Sequence, residues 1–184
     1  ANWHGAAVDL ESGVLYIPSM TFPSFFKIVK SDSTKTDANY EWQGFRVSGP
    51  QGLPLFKPPY GRITAIDINT GDHKWQSAMG EGPRNHPLLK DLNLPRLGWN
   101  LRGSPLLTKT LLFIGQEGKY WEYVPALVGG AKLSEVQTQE IINFEPKMQV
   151  FDKNNGELIH EIDLPLNVTA FPMTYMVTGK QNHA

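Results

Sequence analysis

Short runs of alternating apolar and polar positions, each closed by a turn, recur along the chain, and they predict strands, not helices. The run Gly13-Val14-Leu15-Tyr16-Ile17-Pro18 follows the turn-forming Asp9-Leu10-Glu11-Ser12 and is rich in β-branched and aromatic residues, so it reads as a strand with Ala6-Ala7-Val8 as its partner. Residues 31–60 hold a polar run from Ser31 to Asp37 and a Pro/Gly-rich run from Gly49 to Gly61, both read as loop. Arg62-Ile63-Thr64-Ala65-Ile66-Asp67-Ile68 alternates cleanly, turns at Asn69-Thr70-Gly71-Asp72 and returns through His73-Lys74-Trp75. A second hairpin lies 85 positions on, where Met148 to Asp152 leads into Lys153-Asn154-Asn155-Gly156 and out through Glu157 to Ile162.

In both hairpins an Asp precedes the Gly by four residues and a ring side chain, Trp75 or His160, follows it by four, which marks an internal repeat. A short apolar strand precedes each hairpin, Gly13 to Pro18 in the first case and Thr110-Leu111-Leu112-Phe113-Ile114-Gly115 in the second. The unit is therefore about four strands, the size of a propeller blade. The prediction is an all-β, partial β-propeller in one domain over 1–184, with one blade at about 1–80, a second at about 101–166 and the start of a third at 170–181. Only the first strand of that third unit, Ala170 to Met176, is expected. The insertions 19–60 and 116–147 become surface loops on one face, and the capping-box spacing of Leu133-Ser134-Glu135-Val136-Gln137 marks a candidate short helix. Two blades cannot close a ring, so missing chain, another copy of this one or a rearranged packing is expected to cover the outer faces.

Composition agrees: 17 Gly and 14 Pro spread along 184 residues favour short elements, and 40% hydrophobic with 19% charged residues is ordinary for a globular core. A formal charge of -1 gives no electrostatic reason to expect a nucleic acid or an anionic membrane as partner. No stretch reaches the length of a membrane span, and Ala1-Asn2-Trp3-His4 lacks the order of a signal peptide, so the sequence reads as soluble. With no cysteine, disulfides and thiolate metal sites are excluded. The five histidines, His4, His73, His86, His160 and His183, show no metal-ligand spacing, so no metal is expected on this chain. Asp67 and Asp152 sit at hairpin entrances and are assigned to turns, while Gly115-Gln116-Glu117-Gly118 is too short and acidic to cradle phosphate.

The stretch Ala65-Ile66-Asp67-Ile68-Asn69-Thr70-Gly71-Asp72-His73-Lys74-Trp75 resembles, at every defined position, the tryptophan-docking motif of pyrroloquinoline-quinone (PQQ)-dependent glucose and alcohol dehydrogenases, Ala-x-Asp-x-x-x-Gly-x-x-x-Trp. The second copy is degenerate, with Val150 for the Ala and His160 for the Trp. Asn2-Trp3 with the strand at 13–18, Gly52 to Gly61, Gly82-Pro83-Arg84-Asn85-His86-Pro87, Gly103-Ser104-Pro105-Leu106-Leu107-Thr108, and Pro172-Met173-Thr174-Tyr175 with Gly179-Lys180-Gln181 resemble the same family in order. The resemblance implies C-terminal blades of a quinoprotein that oxidises a glucose-like sugar or an alcohol by hydride transfer to PQQ, in the periplasm, with ubiquinone or a cytochrome as electron acceptor. It implies that Asn2 donates to the quinone edge with Trp3 beside it, and that Arg102 stands where some members place a Trp against the cofactor plane. Packing is the competing reading of Trp3, and a surface cation that of Arg102. The family's calcium ligands and catalytic Asp fall in earlier blades, and its Gly-Gly-containing turn falls after Gly179-Lys180-Gln181, so no catalytic residue is assigned and the chain is expected to be incomplete alone. The alternative is a non-catalytic propeller-type binding or scaffold protein assembled from several copies.

Overall fold

The structure is a computed structural model that describes residues 5–21, 23, 25–45, 49, 53–99, 102–117, 146–166, 168, 172–177 and 180–183. Two four-stranded antiparallel sheets dominate it. The first comprises β1 (Ala7–Asp9), β2 (Val14–Met20), β5 (Gly61–Asp67) and β6 (His73–Ala78), in that spatial order. The second comprises β7 (Arg102–Leu107), β8 (Leu111–Glu117), β9 (Lys147–Asp152) and β10 (Leu158–Asp163), each beside its sequence neighbour. The strands match one for one, β1 with β7, β2 with β8, β5 with β9 and β6 with β10, so the hairpins at Gly71 and Gly156 hold equivalent places in successive sheets. This is the partial propeller that the repeat predicts.

The two hairpin turns repeat bond for bond. Gly71 N donates to Asp67 O at 2.8 Å and Gly156 N to Asp152 O at 2.9 Å. The Asp carboxylates accept from Asn69 N at 2.9 Å and from Asn154 N at 2.7 Å. Both glycines have positive φ, 81° and 74°, a region that residues with a Cβ enter only at a cost. Asp67 and Asp152 thus serve their turns, as the sequence indicates.

The sheets meet face to face over a core in which Val14, Tyr16, Ile63 and Ala65 of the first pack on Leu112, Ile114 and Phe151 of the second. Alternation along each strand puts these residues on one face. Contact is close between β1 or β2 and β7, so the sheets converge at their inner strands. Pro105 sits in the inner edge strand β7, where an absent N–H leaves no ladder bond broken.

Two features differ from the sequence prediction. The insertion 19–60 is not all loop: β3 (Phe25–Lys30) and β4 (Tyr40–Phe45) form a two-stranded ribbon, in register from Phe25 opposite Phe45 to Lys30 opposite Tyr40. The polar run supplies only the bend, where Asp32 accepts from Thr34 N at 2.9 Å and Ser31 N donates to Asn39 O at 3.1 Å. Both strands are rich in β-formers, but the polar run between them lacks the tight-turn signature that would announce a hairpin. The third unit also contains more than a first strand, because β11 (Thr174–Val177) pairs with β12 (Lys180–His183) as a hairpin. The candidate helix at Leu133 and the expected strand start at 170–171 lie outside the described residues.

Candidate active end of the propeller

The antiparallel order sorts the connections by end. The tight turns at 10–13, 68–72, 108–110 and 153–157 lie at one end of the sheets, and the long connections 21–60, 79–101, 118–146 and 164–173 all leave from the other. The two ends do different work.

At the turn end, the sheets are pinned together by a few specific groups. Trp75, from β6, lays its ring on Gly156 of the second sheet, where a Cβ would stand 2.4 Å from the indole Cε3. The indole Nε1 donates to Lys153 O at 3.0 Å, and Tyr16 OH donates to the same carbonyl at 3.1 Å. The Tyr16 and Trp75 rings lie 5.8 Å apart. The missing side chain of Gly156 is what admits an aromatic this close. Lys153 also reaches back with its ammonium, 2.6 Å from Asp9 Oδ2. That hydrogen bond, with another from Ser12, holds the Asp9 carboxyl well below the ordinary carboxylate value of 3.8, at about 2.

Among the described residues, nothing fills the equivalent seat in the first sheet. A Cβ on Gly71 would meet nothing within 4 Å. Ile68, which corresponds to Lys153, is 53% exposed. At the other margin of the pair, His160 stands where the repeat has Trp75, on the exposed part of β10.

At the insertion end, the connection after β6 is locked to the start of β5. Gly61 and Gly98 touch backbone to backbone, since a Cβ on Gly98 would fall 2.0 Å from Gly61 O. Met79 N donates to Gly61 O at 2.9 Å and Trp99 N to Met79 O at 2.7 Å. Between these anchors the 81–99 excursion encloses a polar cleft of about 280 Å³ whose lining includes Glu81, Arg84, Asn85, Lys90, Asn93 and Trp99. Arg96 fastens the excursion to the second sheet, with Nη2 2.6 Å from Glu161 Oε1 and Nε 2.9 Å from Glu81 Oε1. Burial alone would raise the Glu161 carboxyl, but hydrogen bonds from Arg96 and Gln149 outweigh it and the net displacement is downward.

Arg102 opens β7 at this same end, on the inner edge of the second sheet and opposite Glu117. Its neighbour Gly103 faces Met79 and the first sheet, so alternation puts Arg102 on the opposite face, half-buried. Asn2 and Trp3 lie outside the described residues. Of the three predicted cofactor residues the structure thus describes Arg102 alone, at the start of β7. His86, buried, accepts from Leu88 N at 3.1 Å and belongs to a turn. Among the described residues no three His, Asp or Glu side chains gather as a metal site would require. Sequence reasoning missed the groups that join the sheets, namely the Lys153 carbonyl, Tyr16 OH and the Asp9–Lys153 pair, because none carries a local signature.

Comparison with known proteins agrees with this geometry. The family model for the glucose/ethanol/alcohol dehydrogenase β-propeller domain matches residues 1–182. Quinoprotein glucose dehydrogenase A of Acinetobacter calcoaceticus is 27% identical over 197 residues, covering 98% of this chain and 21% of that protein. A quinate/shikimate dehydrogenase (quinone) of Acinetobacter baylyi is 23% identical over 204 residues, covering 98% of the chain and 22% of the relative. In fold, the chain is similar to a quinohemoprotein alcohol dehydrogenase from Pseudomonas putida, with a TM-score of 0.55 at 15% identity, over 97% of this chain and 21% of that one. The chain thus spans about a fifth of the length of these relatives.

Proposed function

Because the chain belongs to the glucose/ethanol/alcohol dehydrogenase β-propeller family, whose members depend on PQQ, we propose that it supplies two blades and part of a third to a quinoprotein that oxidises a sugar or an alcohol. The observation that supports incompleteness is the open seat at Gly71. Its twin, Gly156, is filled by Trp75, and the same turn geometry at Gly71 invites an indole from a sheet other than the described ones. The blade limits proposed for the chain remain about 1–80, 101–166 and 170–181.

The chemistry available on this chain fits a carboxylate-bearing quinone in one respect: Arg102, at the inner edge of the insertion end, offers fixed N–H donors suited to a carboxylate or a planar ring. PQQ, when bound, supplies the quinone that accepts the hydride. Arg102 would hold and orient it, with Asn2 and Trp3 entering from the segment before β1. The proton-accepting Asp and the calcium ligands would come from other blades of the same protein. A periplasmic location, with ubiquinone or a cytochrome as acceptor, completes the proposal.

Dye reduction tests it. The 184-residue chain with PQQ, calcium and glucose should give no turnover, whereas a longer polypeptide carrying the same sequence should give PQQ-dependent turnover on a sugar or an alcohol. In that polypeptide Arg102→Met should lower PQQ occupancy. Turnover by the short chain would refute incompleteness, and a longer polypeptide inert on every sugar and alcohol tried would refute the reaction.

A further inference from the structure

The ribbon formed by β3 and β4 leaves an apolar surface that the redox reading does not use. The two strands pair with each other and with no other described strand. One ribbon face carries Phe25 and Val29, both half-buried. The other carries Phe26, Ile28, Tyr40 and Trp42, exposed to between 66% and 73% of their surface. An isolated two-stranded ribbon is marginal in water, and one that displays three aromatics and an Ile on a single face needs a cover.

The face matches a copy of itself. Ile28 lies opposite Trp42 at its centre, Phe26 opposite Gly44 and Lys30 opposite Tyr40. Trp42 lies across Gly44, where a Cβ would come within 2.8 Å of Cζ3, so the ring fills the glycine position and levels the surface. An antiparallel ribbon has a local two-fold axis, here through the Ile28–Trp42 pair, that relates Phe26 to Tyr40 and Lys30 to Gly44. Two aromatic corners therefore alternate with one cationic and one bare corner. Stacked face to face, a second ribbon can set its aromatic corners over these, with the Lys30 ammonium against an aromatic ring.

The area suffices. Four such side chains present about 600 Å² at roughly 150 Å² each. Two copies can then bury up to about 1,200 Å², the lower edge of stable protein interfaces. The residues 25–45 carry three Lys against two Asp and one Glu, so no net charge opposes self-contact.

We infer that the Phe26/Ile28/Tyr40/Trp42 face of the ribbon is a homodimer interface, packed against the same face of a second copy. The inference is independent of cofactor or substrate. Sedimentation equilibrium over a concentration series should give twice the chain mass. The double variant Phe26→Ser/Trp42→Ser should give the single mass while keeping the parent's far-UV spectrum, and Val8→Ser, on the exposed side of the first sheet, should remain dimeric. Should the double variant fail to fold, cross-linking replaces it. The chain has no cysteine, so Lys30→Cys on the proposed face should yield dimers with a short bis-maleimide, and Lys27→Cys on the opposite face should not. A single-chain mass at every concentration, dimers lost with Val8→Ser and kept in the ribbon variant, or equal cross-linking at both cysteines would overturn it. So would a monomer whose ribbon binds neutral lipid vesicles.

Discussion

Replacing Gly156 and Gly71 by alanine, one at a time, separates the docking of the two sheets from the geometry of their turns. Both residues adopt left-handed φ, 74° and 81°, so both substitutions incur similar backbone strain, about 1–2 kcal/mol. Only Gly156 has an indole on it. The new Cβ would lie 2.4 Å from Trp75 Cε3 and 2.7 Å from Ser77 Oγ, and at Gly71 nothing lies within 4 Å. The ring must therefore withdraw. Losing its hydrogen bond to Lys153 O costs about 1 kcal/mol. Re-exposing about 80–100 Å² of indole and facing surface costs about 2 kcal/mol more at 25 cal/mol per Å². Gly156→Ala should thus lose about 4–5 kcal/mol against about 1–2 for Gly71→Ala, a difference of about 3 kcal/mol readable from urea midpoints followed by circular dichroism. Equal costs, within about 1 kcal/mol, would show that Trp75 does not hold the sheets together. In a longer polypeptide with a sheet docked at Gly71, the Gly71→Ala cost should rise to match its twin.

Two further outcomes follow from the same contacts. Trp75→Ala should destabilise the chain by about 3–5 kcal/mol, whereas His160→Ala at the equivalent, exposed position should stay within about 0.5 kcal/mol, both by urea unfolding. The Asp9–Lys153 pair should confer a pH-dependent advantage over Asp9→Asn. Because the folded pKa of Asp9, about 2, lies below its ordinary 3.8, that advantage is full above about pH 4 and disappears as pH falls through about 2. A stability difference between the two proteins that stays constant from pH 7 down to 2 would disprove the coupling.

The sequence announced the repeat because tight turns have strict local chemistry. An Asp that caps amides, a Gly at positive φ and a ring four residues on can be read without knowing what packs on them, and the two hairpins appeared where Gly71 and Gly156 indicated. The seat of Trp75 was only implied by resemblance, since the residues that form it, Gly156 and the Lys153 carbonyl, come from a turn 78 to 81 positions away. A backbone carbonyl has no letter in a sequence. The ribbon is illegible for a different reason: Phe26, Ile28, Tyr40 and Trp42 alternate as strand residues do, but the polar run between them reads as surface loop, and no interior demands them. Arg102 could be placed at a strand start and no further, because alternation gives a face and not a ligand.

The division between the two ends explains why the docking chemistry is legible in two sheets while the proposed cofactor contacts are few. Packing between sheets is decided pairwise, each seat using one turn and one ring from the neighbouring sheet, so two sheets already display the whole docking chemistry once, with one seat open. A ligand on the axis of a propeller meets only the inner strands, and each inner strand offers it one or two side chains. Here those strands are β1 and β7, and β7 brings a single charged candidate, Arg102, to the insertion end. Polarising a quinone, accepting a proton and excluding water need several groups converging from different directions. Adjacent sheets approach the axis from nearly the same side, so under the proposed function the converging groups would come from sheets across the ring.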